Sequence, residues 1–349
     1  MNYKFLIGLV AMTTIVSCKK TADIVVIVPP PTDAKIQTLS GGPGGSNAAN
    51  SVFVDMSNGR QDSAARASWD LGFYTGSDFR VILNHTSGAG AKVTDKTDLA
   101  SVKAEDTIGL TLSTSQFDPQ PTDLAYFDDL SGDITKTVIP VVSAKDSDNK
   151  VIILNRGTAG GIADRPWIKL RVLQNTNGGY TLQFAGITET TMRTVNIPKN
   201  TEFNFQFVSL DNNGTVVKVE PEKRSWDIEW TYSIFKTNFG FGEVPYNFSD
   251  LVAINFLGGV EAAQVMTSIV SYADYSDANI ANTTFSSNRW AIGSSWRATT
   301  GAVGARTDRF YVIKDPAGNI YKLKFISFHP SDGGVRGYPV IEYQLVRKA

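Results

Sequence analysis

The stretch Ser225-Trp226-Asp227-Ile228-Glu229-Trp230 has an earlier counterpart in the same chain, Ser68-Trp69-Asp70-Leu71-Gly72-Phe73. In each copy large apolar residues alternate (Trp69, Leu71, Phe73; Trp226, Ile228, Trp230), the period-2 signature of a strand with one buried face. A short basic run precedes each (Arg66-Ala67; Lys223-Arg224), and a second apolar patch ending in Asn follows (Asn84; Asn238). The offset between the tryptophans, 226 − 69 = 157 residues, is too long for a solenoid or propeller repeat and suits a duplicated domain.

The order of elements around the two copies supports the same conclusion. Ser51-Val52-Phe53-Val54-Asp55-Met56 and its turn Ser57-Asn58-Gly59 come before the first copy; Phe203-Asn204-Phe205-Gln206-Phe207 and the turn Asp211–Gly214 come before the second. Each half also holds a hairpin-like pair of strands containing Tyr-x-Leu-x-Phe, at Tyr180 and at Tyr321. A final strand runs over 338–346, with Pro339 pointing to an edge or a strand start. Between 98 and 150 the pattern weakens to loops, with room for one short helix over 123–130. The 30 glycines and the dense Asn, Asp, Ser and Thr between short apolar runs fit many strands joined by turns. The expected fold is all-β, two related antiparallel β units arising by internal duplication, with domains over 35–200 and 201–349.

Lys4 provides a positive start, Phe5 to Met12 an apolar run too short to span a bilayer, and Ile15-Val16-Ser17 leads to the single cysteine, Cys18. This resembles a bacterial lipobox, which implies a signal peptide over 1–17, cleavage before Cys18, and lipidation of that residue, palmitate included. Residues 18–34, with Pro29-Pro30-Pro31, read as an extended tether. The expected location is the outer membrane, on its surface or periplasmic face, held by the lipid alone.

Composition narrows the chemistry. A net charge of −1 offers no basic field for nucleic acid. The two histidines, His85 and His329, stand in no zinc motif, no Gly-x-Ser-x-Gly elbow is present, and Gly41-Gly42-Pro43-Gly44-Gly45 lacks the Gly-Lys-Ser/Thr ending of a phosphate loop. Asp70 and Asp227 lie in separate copies and read as partners for nearby backbone or the flanking arginine rather than as an acid/base pair. The expectation is a binding protein and not an enzyme.

The run from Arg224-Ser225-Trp226-Asp227-Ile228 through Phe235 to Gly240, then Phe310 to Phe325 with the turn Asp315-Pro316-Ala317-Gly318-Asn319, and Ile341-Glu342-Tyr343, resembles the HmuY family, haem-binding surface lipoproteins of Bacteroidetes. The resemblance is best over about 200–349, and Trp69 to Tyr74 with Phe79 to Asn84 extends it to longer members. It implies an all-β fold and haem capture for iron acquisition through two axial side chains from loops, His or Met, whose identity tunes the iron. It also implies hand-over to a TonB-dependent outer-membrane receptor. The candidates for holding haem or another small hydrophobic ligand are His85, at a turn after a strand and the candidate iron ligand, Met192 in a polar stretch, and Met266 in an apolar run; His329 and Met56 complete the supply. Each has an alternative role: His85 as an exposed loop residue, His329 as a half-buried structural one, Met266 as core. A second function is open, glycan or protein binding through the aromatic segment Arg289-Trp290 and Trp296-Arg297.

Overall fold

A computed structural model describes residues 33–211 and 213–349. The leader, Cys18 and nearly all of the tether lie outside the described residues. The first ten strands are β1 (Lys35–Thr38), β2 (Asn50–Asp55), β3 (Arg60–Ala65), β4 (Leu71–Tyr74), β5 (Val81–Leu83), β6 (Gly90–Val93), β7 (Ile152–Asn155), β8 (Ile168–Gln174), β9 (Tyr180–Gly186) and β10 (Arg193–Ile197). The next ten are β11 (Phe205–Ser209), β12 (Thr215–Val217), β13 (Ile228–Asn238), β14 (Glu243–Ile254), β15 (Glu261–Met266), β16 (Arg297–Ala298), β17 (Gly304–Ala305), β18 (Arg309–Lys314), β19 (Ile320–Ser327) and β20 (Val340–Arg347). Every pairing between them is antiparallel, so the all-β, duplicated fold expected from the sequence is what forms. The weak region 98–150 is mostly loop with short 3₁₀ turns, one of them at Pro121–Tyr126. Among the described residues no helix is long and apolar enough to cross a membrane.

Four sheets stack as two sandwiches. The first pairs β10-β9-β8-β7-β6 with β12-β11-β4-β5; the second pairs β14-β13-β2-β3 with β1-β20-β19-β18-β15. Strand composition explains the layering. Val52 and Val54 of β2 point into the second core, with Ile228, Trp230, Leu323 and Ile341, while Phe53 between them points the other way. Val208 of β11 enters the first core, with Leu71, Phe73, Leu170 and Leu182, while its neighbours Phe205 and Phe207 face out of it. Those outward rings meet Trp69, Trp226, Ala64 and Val219 in a third apolar layer, between the sandwiches. The central sheets are therefore buried on both faces, and β2 from Ser51 to Asp55 and β13 from Ile228 to Ile234 are buried without a break.

The sheets also show that the halves exchange their opening hairpins. β2–β3, which precedes the first Trp-Asp segment, pairs with the strand after the second, with Trp230 opposite Val52 and Ile228 opposite Val54. Reciprocally, β11–β12 pairs with β4, with Leu71 opposite Val208 and Phe73 opposite Gln206. The edge strands follow: β1 adds to β20, and β10 to β9. The chain is thus not divided in space at residue 200, and residues 33–349 form one compact unit. The turn of the second hairpin needs Asn213 and Gly214 at positive φ, 70° and 85°, as its Asn-Gly chemistry predicts.

Two sequence matches need correction. The equivalent of Asn84 is Asn255, not Asn238, which lies at the far end of the long strand β13. The two Tyr-x-Leu-x-Phe segments occupy different places: counting outward from β6 and β15, β9 corresponds to β20, whereas Tyr321 lies on β19. A tight turn joins β8 to β9 in one half and β18 to β19 in the other, so local turn chemistry mimicked a repeat one strand out of step.

Reciprocal exchange has a direct consequence. A protease site placed between Asn200 and Thr201 should give two fragments that stay together on gel filtration under native conditions, because each supplies a two-stranded hairpin to the other's sandwich. Separation of intact, folded fragments would refute the exchange.

Candidate functional site

The two Trp-Asp segments build one lock twice. The Asp70 carboxylate accepts the Leu210 N–H at 2.7 Å, and Asp227 accepts the Met56 N–H at 2.7 Å; each donor ends the hairpin contributed by the other half. The backbone N–H of each Asp closes the same ring, Asp70 to Val208 O at 2.9 Å and Asp227 to Val54 O at 2.7 Å. The Trp ring meets the exchanged Phe edge-on, Trp69 with Phe207 at 4.8 Å and Trp226 with Phe53 at 5.1 Å. Asn84 donates its side-chain amide to Arg66 O and Trp69 O, and Asn255 donates to Lys223 O and Trp226 O. The Trp side chain leaves the face shared by its alternating neighbours, because the strand proper starts only after the Asp; Leu71 and Ile228 enter the sandwich cores while Trp69 and Trp226 enter the layer between them.

The copies differ in charge. Asp70 holds Arg156 through two 2.8 Å bonds and lies 3.2 Å from Arg165. The flanking Arg66 is not its partner; that guanidinium is buried and donates to carbonyl oxygens of Ala48, Thr86 and Gly160, its pKa lowered by burial to about 10. Among the described residues no cation pairs with Asp227. Burial, with Asp315 and Asp55 nearby, pushes it up to about 7.

Between the sandwiches, bordered by Trp226 and the loop 128–137, lies a half-open cleft of about 60 Å³. Its polar strip is His85, Glu220, Glu229 and Arg289, which also lines an adjoining cavity of about 40 Å³ walled by Trp69, Phe53 and Phe207. His85 takes the position that Phe256 holds in the other copy, one residue after the locking Asn. It is buried, and its Nε2 pairs with Asp128 Oδ2 at 3.1 Å. Asp128 also accepts the N–H groups of Leu83 at 2.7 Å and Val138 at 2.8 Å, so the pair pins the covering loop to β5. Neither an exposed loop residue nor a side chain projecting outward for iron describes His85.

The other sequence candidates do not join it. Met192 is exposed just before β10; Met266 ends β15, its sulfur accepting from the Gln264 amide at 3.6 Å; neither lines the cleft. Met56 is core, and His329 caps a 3₁₀ turn through Ser331. Among the described residues no group of three or more His, Cys, Asp or Glu is arranged for a metal ion. Haem does not fit at His85: the cleft is several-fold below the roughly 300 Å³ at which ligand pockets begin, no second axial group converges, and carboxyls line the wall. Trp296 is buried and stacked on Phe325 at 4.2 Å, and Trp290 is half-buried with its N–H donated to Leu130 O. The aromatic segment named for glycan or protein binding is therefore framework.

Sequence reasoning passed over the free aromatic surface. Phe239 and Phe241, at the tip of the β13–β14 hairpin, are 52% and 58% exposed, with centroids 6.3 Å apart and planes 31° from parallel. Tyr246 packs edge-on to Phe239 at 5.1 Å, and Phe248, Phe235 and Trp290 continue the row toward the body. The adjoining loop, tied to the hairpin by Thr114 Oγ1 donating to Pro245 O, adds the fully exposed Phe117. The visible signal was Asn-Phe-Gly-Phe-Gly, large apolar residues in a turn that needs none.

Two outcomes are expected. Asp128→Ala leaves three donors without their acceptor and should cost about 2–4 kcal/mol in urea unfolding, whereas Met192→Ala should stay within about 0.5 kcal/mol. Asp227 carries a folded-state pKa above its unfolded one, so its contribution is full below about pH 4 and is lost as pH rises through about 7. Asp227→Asn keeps the acceptor for Met56 but cannot ionise. It should raise the melting temperature at about pH 8 by on the order of 5 °C and change it little at about pH 4; equal melting at both pH values would contradict the assignment.

The family profile described as HmuY protein matches residues 47–174 and again 170–343. No curated protein matches the chain. The two matches each contain one Trp-Asp segment, so the duplication seen in the sheets is also a duplication of the family unit, and the chain belongs to the HmuY family.

Proposed function

We propose that the protein is a lipid-anchored binding protein of the bacterial outer membrane that captures a flat, largely apolar ligand, haem being the member of that class to which its family points. The observation that carries this reading is the aromatic tip of the β13–β14 hairpin, where Phe239 and Phe241 present uncovered rings beside Tyr246, with the exposed Phe117 on the adjoining loop. Rings of this kind gain by stacking on a planar conjugated face and by covering apolar area, both without a metal ligand. The row of aromatic contacts behind them, ending at Trp290, holds the hairpin on the body. Two features support binding rather than catalysis. The polar cleft is small and its histidine is committed to Asp128, and the family is one of binding proteins. Cys18 and the tether supply the attachment, and a TonB-dependent receptor is the natural recipient for a ligand gathered outside the cell.

Haemin titration of the purified protein, followed by the Soret band and by tryptophan quenching, is expected to saturate at one equivalent. The joint change Phe239→Ala with Phe241→Ala should weaken binding at least about tenfold, and His85→Ala should leave it unchanged if the variant folds. Absence of saturable binding would remove haem as the ligand. Loss with His85→Ala in a folded variant, but not with the phenylalanine changes, would move the site to the imidazole and overturn the stacking reading.

A further inference from the structure

A half-open cavity of about 320 Å³, large enough for a ligand, lies on the outer face of the first sandwich and shares no lining residue with the cleft or the aromatic hairpin. Alternation along β8 creates its floor. Ile168, Leu170 and Val172 enter the core, so Lys169 between them points to the opposite face. The turns over 100–105 and the segment 187–190 after β9 wall the space above it.

Lys169 is only 3% exposed, yet its ammonium makes a single hydrogen bond, to Val102 O at 2.9 Å, and no ion pair with any described carboxylate. The other lysine buried as deeply, Lys322, donates to three carbonyl oxygens, those of Tyr272, Ala273 and Tyr275. Lys199 does the same with Gly76, Ser77 and Asp78. An ammonium has three N–H donors, so Lys169 alone of these keeps two unspent, and it does so at the wall of a cavity. A buried cation without a counter-charge is costly.

The acids nearby are committed elsewhere. Asp98 caps its own 3₁₀ turn by accepting the Ala100 N–H at 3.0 Å, and Glu189 accepts from Arg193 at 2.6 Å and from the Gly186 N–H at 3.0 Å. Burial lowers the Lys169 pKa, and the attraction of Asp98 and Glu189 does not make up the difference. At the mouth the exposed Lys103 and Glu105 offset each other. The floor is thus left with one uncompensated positive charge, whereas a second negative charge on a ligand would meet Glu105 and Glu189. Val102, Ala104 and Ile187 add apolar wall, which a hydrocarbon part covers.

We propose that this cavity binds a monocarboxylate with a short apolar tail, its carboxylate accepting from Lys169 Nζ and its tail lying on Val102, Ala104 and Ile187. Ligand capture at the aromatic hairpin plays no part in it.

The full-length protein in detergent, against a protein-free detergent blank, is titrated with hexanoate labelled with carbon-13 at the carboxyl, followed by the carboxyl resonance and by calorimetry. Saturation at one equivalent is expected. Hexan-1-ol keeps the tail and lacks the charge, and it should bind the unaltered protein at least about tenfold more weakly, a comparison that decides the matter even if a variant fails to fold. Lys169→Met should weaken hexanoate binding by at least about tenfold as well. No saturation by hexanoate, equal binding of hexan-1-ol, undiminished binding by folded Lys169→Met, or acetate binding as tightly as hexanoate would each overturn the assignment.

Discussion

A buried carboxylate accepting one backbone N–H from the other half of the chain is the interaction on which the architecture rests. Asp70 with Leu210 and Asp227 with Met56 each close the end of an exchanged hairpin where the next residue leaves the sheet. Without those acceptors the donor groups would end inside protein with no water to satisfy them. The Trp beside each Asp then covers the exchanged Phe, so a polar contact sets the register and an apolar one fills the space behind it. Because the arrangement is reciprocal, neither sandwich is complete without strands from the other half of the sequence.

The copies share the backbone part of this lock and differ in its electrostatics. Asp70 has Arg156 in a bidentate pair with Arg165 close by, and the arginines come from the loop after β7. In the second half the corresponding surroundings hold Asp55 and Asp315, each occupied in capping its own turn, and Asp227 rises toward neutrality instead of pairing. One copy stabilises a charge and the other avoids one. A hydrogen-bonded neutral carboxyl serves the register as well as a salt-bridged carboxylate does, so the duplication tolerates the divergence.

The same asymmetry produced the cleft. Asn84 and Asn255 perform one task, yet the next residue is His85 in one copy and Phe256 in the other, and both line the cleft. A histidine at this position recruits Asp128 and thereby a loop of the first half, which covers part of the space between the sandwiches. Glu229 from β13, Glu220 from the segment after β12 and Arg289 from the loop after β15 complete a strip drawn from both halves. The aromatic hairpin, by contrast, belongs to the second half alone: β13 and β14 run well beyond the sheet, while the corresponding β4 and β5 are short.

Period-2 alternation, turn chemistry at Asn213-Gly214, and the repeated Trp-Asp segment were sufficient for the fold class and the duplication, because these are local properties of a strand and its turns. They could not reveal which strand pairs with which, since a hairpin has the same pattern whether it docks on its own half or on the other. Hence the expected division near residue 200, the pairing of Asn84 with Asn238, and the equation of Tyr180 with Tyr321 failed together. The site was less legible still. His85, Met192 and Met266 were chosen as residue types able to bind iron, but whether such atoms converge depends on long-range packing; that packing buried His85 on Asp128 and left the methionines elsewhere. Glu220, Glu229, Arg289 and Trp226 lie up to 69 residues apart in sequence (289 − 220 = 69) and carry no common pattern. The sequence by itself determined that the chain makes two similar β units, through residue chemistry acting over a few neighbours. Only the tertiary structure decided that they interlock and what lies between them, because burial and unpaired polar atoms arise where distant segments meet.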